Sequence, residues 1–158
     1  MKQLLPLLTI AMLFFCSCKN QDQTILDESR TFTQRSWNRV TPEVFTVDIK
    51  NAQDYYNIDF QVIIDTTIFN QQDLPLTVNI YSPRNERRFF YSTIVLKQNG
   101  RWRGTVVNGK RVIDHRAKRL FSFNSVGAHR MEIGQATVYH DLIGVESLQT
   151  KITRASLD

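Results

Sequence analysis

The chain has 158 residues, of which 42 % are hydrophobic and 22 % are charged, and its formal net charge is +5. This composition is typical of a globular protein and excludes a disordered chain. After residue 17 the chain is long enough for one domain with a hydrophobic core, and no apolar run there is long enough to form a transmembrane helix.

Residues 1–17 have the features of a signal peptide for export. Lys2 supplies a positive charge, and residues 4–15 form an apolar run interrupted by Pro6 and Thr9. The run is too short to span a bilayer comfortably, because a spanning helix needs about 20 apolar residues. A positive tip followed by a short apolar core and small residues predicts a cleaved secretory signal.

The end of this segment predicts a lipoprotein. A lipoprotein signal places a small residue before the cysteine that becomes the new N-terminus. Ser17 precedes Cys18, whereas Phe15 precedes Cys16, so processing and lipidation are predicted at Cys18. Each buried CH₂ of an attached acyl chain contributes roughly 0.8 kcal/mol, and two or three chains give a stable anchor.

Two simpler interpretations of the cysteines remain open. The segment would then be an ordinary secretory signal with incidental cysteines, or Cys16 and Cys18 would form a disulfide, for which their spacing is poor. Residues 19–28 are polar, so a lipidated Cys18 and a flexible tether are predicted over residues 18–30. The domain is predicted to occupy residues 31–158.

Alternating apolar and polar residues, the period of a β-strand, recur through this domain. The clearest run is 56–64, and Asn99-Gly100 and Asn108-Gly109 are strong hairpin signals because both residue types tolerate positive φ. The eight or nine strands predict an all-β fold, a single antiparallel, jelly-roll-like β-sandwich. A helix within 111–119 is disfavoured, since that segment lacks an apolar stripe. The other predicted strands are 45–49, 76–80, 89–96, 101–107, 111–113, 121–123, 128–139 and 145–152.

Charge is distributed unevenly along the domain. Residues 43–73 contain six acidic residues and one basic residue, whereas residues 84–119 contain eleven basic residues and two acidic ones. The basic stretch could bind anionic lipid, lipopolysaccharide or an acidic partner. Alternatively, the acidic and basic strands pair within one sheet. Nucleic acid is not an expected partner of an exported lipoprotein.

The sequence contains no recognisable catalytic or metal-binding motif. His115, His129 and His140 do not form a pair at metal-ligand spacing. Asp114-His115 and His140-Asp141 are adjacent pairs, and adjacent residues of a strand point to opposite faces, so no catalytic dyad is predicted. We therefore expect no catalytic residue, no metal, no cofactor and no small-molecule substrate.

Six segments of the domain together carry a resemblance to a known family: 45–49 (FTVDI), 56–60 (YNIDF), 100–104 (GRWRG), 123–127 (FNSVG), 133–137 (IGQAT) and 142–148 (LIGVESL). In this order they resemble the gliding-motility lipoprotein GldH family of the Bacteroidetes. The resemblance implies a cell-envelope lipoprotein needed for gliding and for the linked secretion machinery, with no known catalytic residues. This chain departs from the family at Asp65-Thr66-Thr67, where an arginine-bearing segment is expected.

The resemblance and the lipoprotein signal together predict a non-enzymatic lipoprotein that is a subunit of, or accessory to, a gliding-motility or secretion assembly. Its expected partners are the membrane, through Cys18, and other envelope proteins. Arg101, Trp102 and Arg103 are candidate contacts, because Trp and Arg are enriched at interface hot spots. Lys19 after Cys18, and the lack of an acidic run there, favour the outer membrane with the domain facing the periplasm.

The alternative is a glycan-binding or glycan-processing envelope lipoprotein, because β-sandwiches host both activities. A concave face with exposed aromatic residues beside two carboxylates would favour it. Trp37 and Trp102 are possible platforms for a sugar, although packing in a core or an interface is the expected role of both.

Overall fold

The computed structural model describes residues 23–156, so the predicted signal peptide and Cys18 lie outside the described residues. About two thirds of the described residues lie in strands, and the one helix among them is a 3₁₀ helix, Thr33–Arg35. The strands are β1 (Thr24–Thr31), β2 (Ser36–Asn38), β3 (Glu43–Ile49), β4 (Tyr56–Ile64), β5 (Asp73–Tyr81), β6 (Arg87–Val95), β7 (Lys97–Gln98), β8 (Arg101–Trp102), β9 (Thr105–Val107), β10 (Lys110–Phe121), β11 (Gly127–Gln135), β12 (Asp141–Ile143) and β13 (Val145–Arg154).

Eight long strands and the short strand β9 form the two sheets of a sandwich. One sheet has the order β1-β13-β4-β10-β9 and the other has the order β3-β11-β5-β6, with antiparallel pairing throughout. The first long strand therefore pairs with the last. The chain crosses between the sheets from β3 to β4 to β5 and again from β10 to β11, as in a jelly roll, whereas β5 and β6 are neighbours in one sheet. The predicted antiparallel β-sandwich is confirmed, and the segment 111–119 lies in β10.

The core lies between the sheets and follows the predicted alternation. Every second residue of β4, from Tyr56 to Ile64, points inward and is at most 3 % exposed. Apolar side chains of β5 and β11 are similarly buried from the other sheet. Each fully buried side chain of this kind stabilises the fold by roughly 1.5–3 kcal/mol.

The predicted tether over residues 18–30 is wrong from Thr24 onward. Residues 24–31 form β1, which pairs with β13 from Thr24 opposite Thr153 to Thr31 opposite Ser147. The polar composition of this segment indicated a tether because β1 is an edge strand in which only Leu26 is buried. Apart from Ile25, which packs against the core from a partly buried position, its other side chains are polar. The sandwich begins at Thr24, and five residues separate it from Cys18.

The long strands run between two ends of the sandwich that differ in their connections. The proximal end holds Thr24, Arg154 and the connections 50–55, 82–86 and 122–126. The distal end holds the connections 32–42, 65–72, 96–109 and 136–144. The proximal end is thus where the described chain begins.

Candidate functional site

The distal end carries most of the exposed apolar residues that lie in connections. They are 48 % to 85 % exposed, and they come from all four distal connections. Loops on a rigid scaffold carry a disproportionate share of binding residues, and an exposed apolar patch is a mark of a protein-interaction site. We therefore regard the distal end as the candidate functional site. Its exposed apolar residues are Val40, Ile68, Val106, Val107, Val138, Tyr139 and Ile143.

The three predicted contact residues lie at this end, on the hairpin of β7 and β8. Asn99 and Gly100 form its turn with φ values of 52° and 72°, which confirms the predicted hairpin. Arg101 and Arg103 are exposed. Trp102, which lies between them in the sequence, is half-buried, so the hairpin exposes two arginines on either side of a partly buried indole.

Contacts of Trp102 fix the hairpin against the rest of the distal end. Its ring centroid lies 6.4 Å from that of Phe69, and Lys97 Nζ lies 4.3 Å above the indole. Lys97 also donates a hydrogen bond of 2.8 Å to Asn70. The prediction that Trp102 serves in packing therefore fits its surroundings, while its partly exposed edge remains open to a partner.

Gly104 allows the segment after the hairpin to approach β10 closely. Its φ is +73°, and a Cβ atom at this position would overlap the carbonyl oxygen of Val112. Only glycine combines this backbone conformation with such a close approach. The interpretation of the glycines as local backbone devices fits Gly100 and Gly104.

A buried carboxylate holds the distal connections together. Asp65 is 4 % exposed and accepts hydrogen bonds of 2.6 Å from Lys110 Nζ and from Arg35 Nη1. Thr67 donates two more, from its backbone N–H and its hydroxyl. The hydrogen bond from Lys110, with those from Thr67, holds the pKa of Asp65 well below its usual range. Asp65, followed by Glu146, raises the pKa of Lys110.

Pairing of acidic and basic strands neutralises only a small part of the basic stretch 84–119. The acidic strand β4 does pair with the basic strand β10, and Arg116 forms an ion pair with Asp59 across them. Of the eleven basic residues in this stretch, Lys110 is the second that has an acidic partner, Asp65. Within residues 23–156, the other nine have no carboxylate within 4 Å. The basic stretch therefore leaves most of its charge available to a partner.

One of the two adjacent His–Asp pairs behaves as predicted. His115 points into the sandwich, where its Nε2 lies 2.8 Å from Ser92 Oγ. Asp114 points to the outer face and accepts a hydrogen bond of 2.7 Å from Gln61. The side chains of the pair therefore lie on opposite faces of β10, and burial lowers the pKa of His115, with Arg103 adding to the effect.

The side chains of His140 and Asp141, in contrast, do not point to opposite faces of a strand. His140 Nδ1 lies 2.9 Å from Asp141 Oδ2. His140 precedes β12, so the alternation of strand side chains does not apply to it. Hydrogen bonds from His140 and from Asn38 lower the pKa of Asp141. Since Asn38 belongs to β2, this exposed cluster connects β2 with β12.

The part of the chain that the structure covers contains no group of three or more His, Cys, Asp and Glu side chains placed to hold a metal ion. In the same residues there is no helix of the length and hydrophobicity needed to cross a bilayer.

A polar groove of about 520 Å³ crosses the outer face of the sheet that contains β1, β13, β4 and β10. Three of its carboxylates are already bound by neighbouring side chains, Asp27 by Gln149, Asp59 by Arg116 and Asp114 by Gln61. Phe60, the aromatic residue in its lining, is 1 % exposed. The lining therefore lacks the exposed aromatic platform that the glycan hypothesis requires.

The predicted platform Trp37 is likewise unavailable to a sugar. It is 1 % exposed and stacks on Phe32 with ring centroids 4.8 Å apart. The expected packing role of Trp37 is therefore confirmed, and it forms the floor of the distal end.

Comparison with known families decides the identity of the chain. A model of the GldH lipoprotein family matches residues 24–152, which is almost the whole described range. The chain belongs to the GldH lipoprotein family. No curated protein and no solved structure matches this GldH-family chain. Membership associates it with gliding motility and the cell envelope, as the six segments predicted.

Sequence reasoning missed the gathering of apolar residues at the distal end of this GldH-family sandwich. The seven residues come from four connections that are separated along the chain by whole strands. It also missed the Asp65 cluster, whose partners Arg35 and Lys110 are 30 and 45 residues away. The break in the family pattern at Asp65-Thr66-Thr67 was the one signal that this position is unusual.

Proposed function

We propose that this GldH-family chain is a non-enzymatic lipoprotein, a subunit of or accessory to a gliding-motility or secretion assembly. In this proposal Cys18 carries the lipid, the anchor lies in the outer membrane and the domain faces the periplasm. Other envelope proteins bind the distal end, with Arg101, Trp102 and Arg103 among the contacts.

The observation that carries the proposal is the character of the distal end. Four connections of 8 to 14 residues present seven exposed apolar residues beside the exposed Arg101 and Arg103. Aromatic and Arg side chains supply most of the binding energy in typical interfaces, and exposed apolar neighbours exclude water around them. Docking of a protein is therefore the activity that this surface suits best.

The rigidity of the site adds support. Asp65 connects the 3₁₀ helix to β10, and Trp102 packs against Phe69 and Lys97. A surface that is ordered before binding loses less conformational entropy when a partner arrives. The long connections thus form a defined docking surface.

The anchor and the hairpin are tested separately in the native host. Cys18→Ala removes the thiol that the lipid requires, and the protein should leave the membrane fraction. A Cys18→Ala chain that remains acylated and membrane-bound would overturn the anchor.

The docking residues are tested by charge reversal in the lipidated chain. R101E/R103E should lower the recovery of crosslinked envelope proteins about tenfold or more, as expected for interface hot spots. The matched control R84E/R119E changes the same charge at the proximal end and should recover the same proteins as the unmodified chain. Equal recovery by both variants would overturn the assignment of the hairpin.

Glycan binding is a second candidate function, because carboxylate and amide side chains line the polar groove on one face of the sheet. Retention of the purified chain on a polysaccharide column, abolished by Asp114→Ala and unchanged by R101E/R103E, would favour this candidate over protein docking. We expect no retention, since the lining lacks an exposed aromatic ring.

A further inference from the structure

We propose that the proximal end of the sandwich lies against the membrane, with its basic side chains at anionic phospholipid headgroups and its exposed apolar side chains in the interface. This inference depends on lipidation of Cys18, which belongs to the proposed function. It adds an orientation: one end of the domain contacts lipid and the other is free for proteins.

The first support is the short reach between the lipid and the domain. Five residues separate Cys18 from Thr24, so the six steps between their Cα atoms span about 20 Å at most. The chain enters the sandwich at its proximal end, where the Arg154 N–H also bonds to the Gln23 carbonyl oxygen. The distal end is farther by the length of β4, which is about 30 Å for nine residues.

The second support is the charge of the proximal connections together with the strand ends that flank them. Residues 48–55, 82–88, 118–128 and 154 contain seven basic and three acidic residues, a net charge of +4. Two of the acidic residues, Asp48 and Asp54, are already paired with Lys50 and Arg154. A basic residue near an anionic bilayer strengthens partitioning roughly fivefold. The seven basic residues are Lys50, Arg84, Arg87, Arg88, Lys118, Arg119 and Arg154.

The third support is the set of exposed apolar side chains at the same end. Tyr55, Leu120 and Val126 are 40 %, 46 % and 58 % exposed. Leu120 also has a φ of +49°, a conformation that is strained for a branched side chain. Basic residues interleaved with exposed aromatic and aliphatic side chains are typical of surfaces that bind the bilayer interface.

The proximal loops are held in place, so they present these residues as one rigid surface. Ser82 Oγ accepts hydrogen bonds from the backbone N–H groups of Arg84 and Glu86. Below the loops, the ring of Phe123 contacts those of Tyr56 and Phe121 edge to face, with centroids 5.3 Å and 5.0 Å apart. The turn 82–86 and the segment that carries Phe123 are therefore ordered before any contact with a membrane.

The test uses the lipidated chain purified from host membranes, with the acyl chains verified by mass spectrometry. A polarity-sensitive fluorophore is attached to Val126→Cys at the proximal end or to Val106→Cys at the distal end. Each labelled chain is inserted into vesicles of phosphatidylcholine alone or with added phosphatidylglycerol. A failure of lipidation appears in the mass spectrum, before any measurement of orientation.

The fluorophore at position 126 should shift to shorter wavelength and become shielded from aqueous quencher when phosphatidylglycerol is present. The fluorophore at position 106 should remain exposed in both vesicles. R84E/R119E should remove the shielding at position 126 while the protein stays anchored, and the matched variant R101E/R103E should retain it.

Equal exposure of the two positions on phosphatidylglycerol vesicles would overturn the proposal. Shielding at position 126 that requires added envelope proteins would also overturn it, and would assign the proximal end to an acidic protein instead.

Discussion

The proximal and distal ends close the same eight long strands in different ways. Proximal connections have five or six residues, whereas distal connections have 8 to 14. Short connections are held by their own turns, as Ser82 holds 82–86. Long connections need contacts between distant segments, which Trp37 and Asp65 supply. The longer end can therefore carry a larger and more varied surface, but it depends on a few buried residues.

The largest expected effect comes from the aromatic floor of the distal end. Trp37→Ala should lower the free energy of unfolding by about 3–5 kcal/mol, because it removes a buried ring and leaves a cavity. Val40→Ala is the control, since Val40 is 69 % exposed and its truncation should change stability by less than about 0.5 kcal/mol. Urea denaturation measures both. Similar losses for the two variants would contradict the role of Trp37.

The next largest effect is expected at Gly104. Gly104→Ala should destabilise the fold by about 2–4 kcal/mol, because the new Cβ both overlaps the Val112 carbonyl and requires positive φ. Gly109→Ala is a matched control with a φ of +76° and open space around it, and should cost about 1–2 kcal/mol. The difference between the two variants in urea denaturation isolates the close approach to β10. Equal losses of stability in the two variants would show that the positive φ, and not the close approach to β10, accounts for the cost.

Asp65 should make the distal end sensitive to acid. Its pKa is lower in the folded chain than in the unfolded one, so the carboxylate stabilises the fold fully above about pH 4. This contribution decreases as the pH falls from there toward the folded pKa. Asp65→Asn should reduce the acid-dependent slope and increase hydrogen exchange in 65–72, with 50–55 unchanged. An unchanged slope would show that ionised Asp65 does not stabilise the fold.

The smallest expected effect concerns His115. Burial, with a contribution from Arg103, lowers its pKa below about 6.5, so the neutral ring is favoured in the fold. Stability should therefore decrease slightly as the pH falls below about 6.5 and level off below the folded pKa. Arg103→Glu should raise the His115 pKa measured by NMR, whereas Arg84→Glu should not. Equal pKa values in these two variants would exclude coupling between the hairpin and His115.

Local patterns allowed prediction of much of the fold. Alternation in 56–64 and the Asn99-Gly100 turn depend on nearby residues alone, and both are confirmed. Strand β1 was missed because an edge strand with a single buried residue has the composition of a tether. The contact between His140 and Asp141 was missed because β12 was not predicted as a strand, and His140 lies just before it.

The arrangement of the two ends could not be read from the sequence, since it depends on topology. Which connections share an end follows from the order of strands in the two sheets, and the same holds for the contacts of Asp65. The candidate contacts Arg101, Trp102 and Arg103 lie on one hairpin in which both arginines are exposed. Their role as contacts remains a prediction.

Photo-crosslinking in native cells tests the division between the two ends most directly. A benzophenone amino acid, which reacts with both lipids and proteins, is placed at position 106 or at position 126 of the lipidated chain. We predict that position 106 crosslinks to envelope proteins and that position 126 crosslinks to phospholipid. Protein crosslinks from position 126 together with lipid crosslinks from position 106 would contradict the proposed orientation and function.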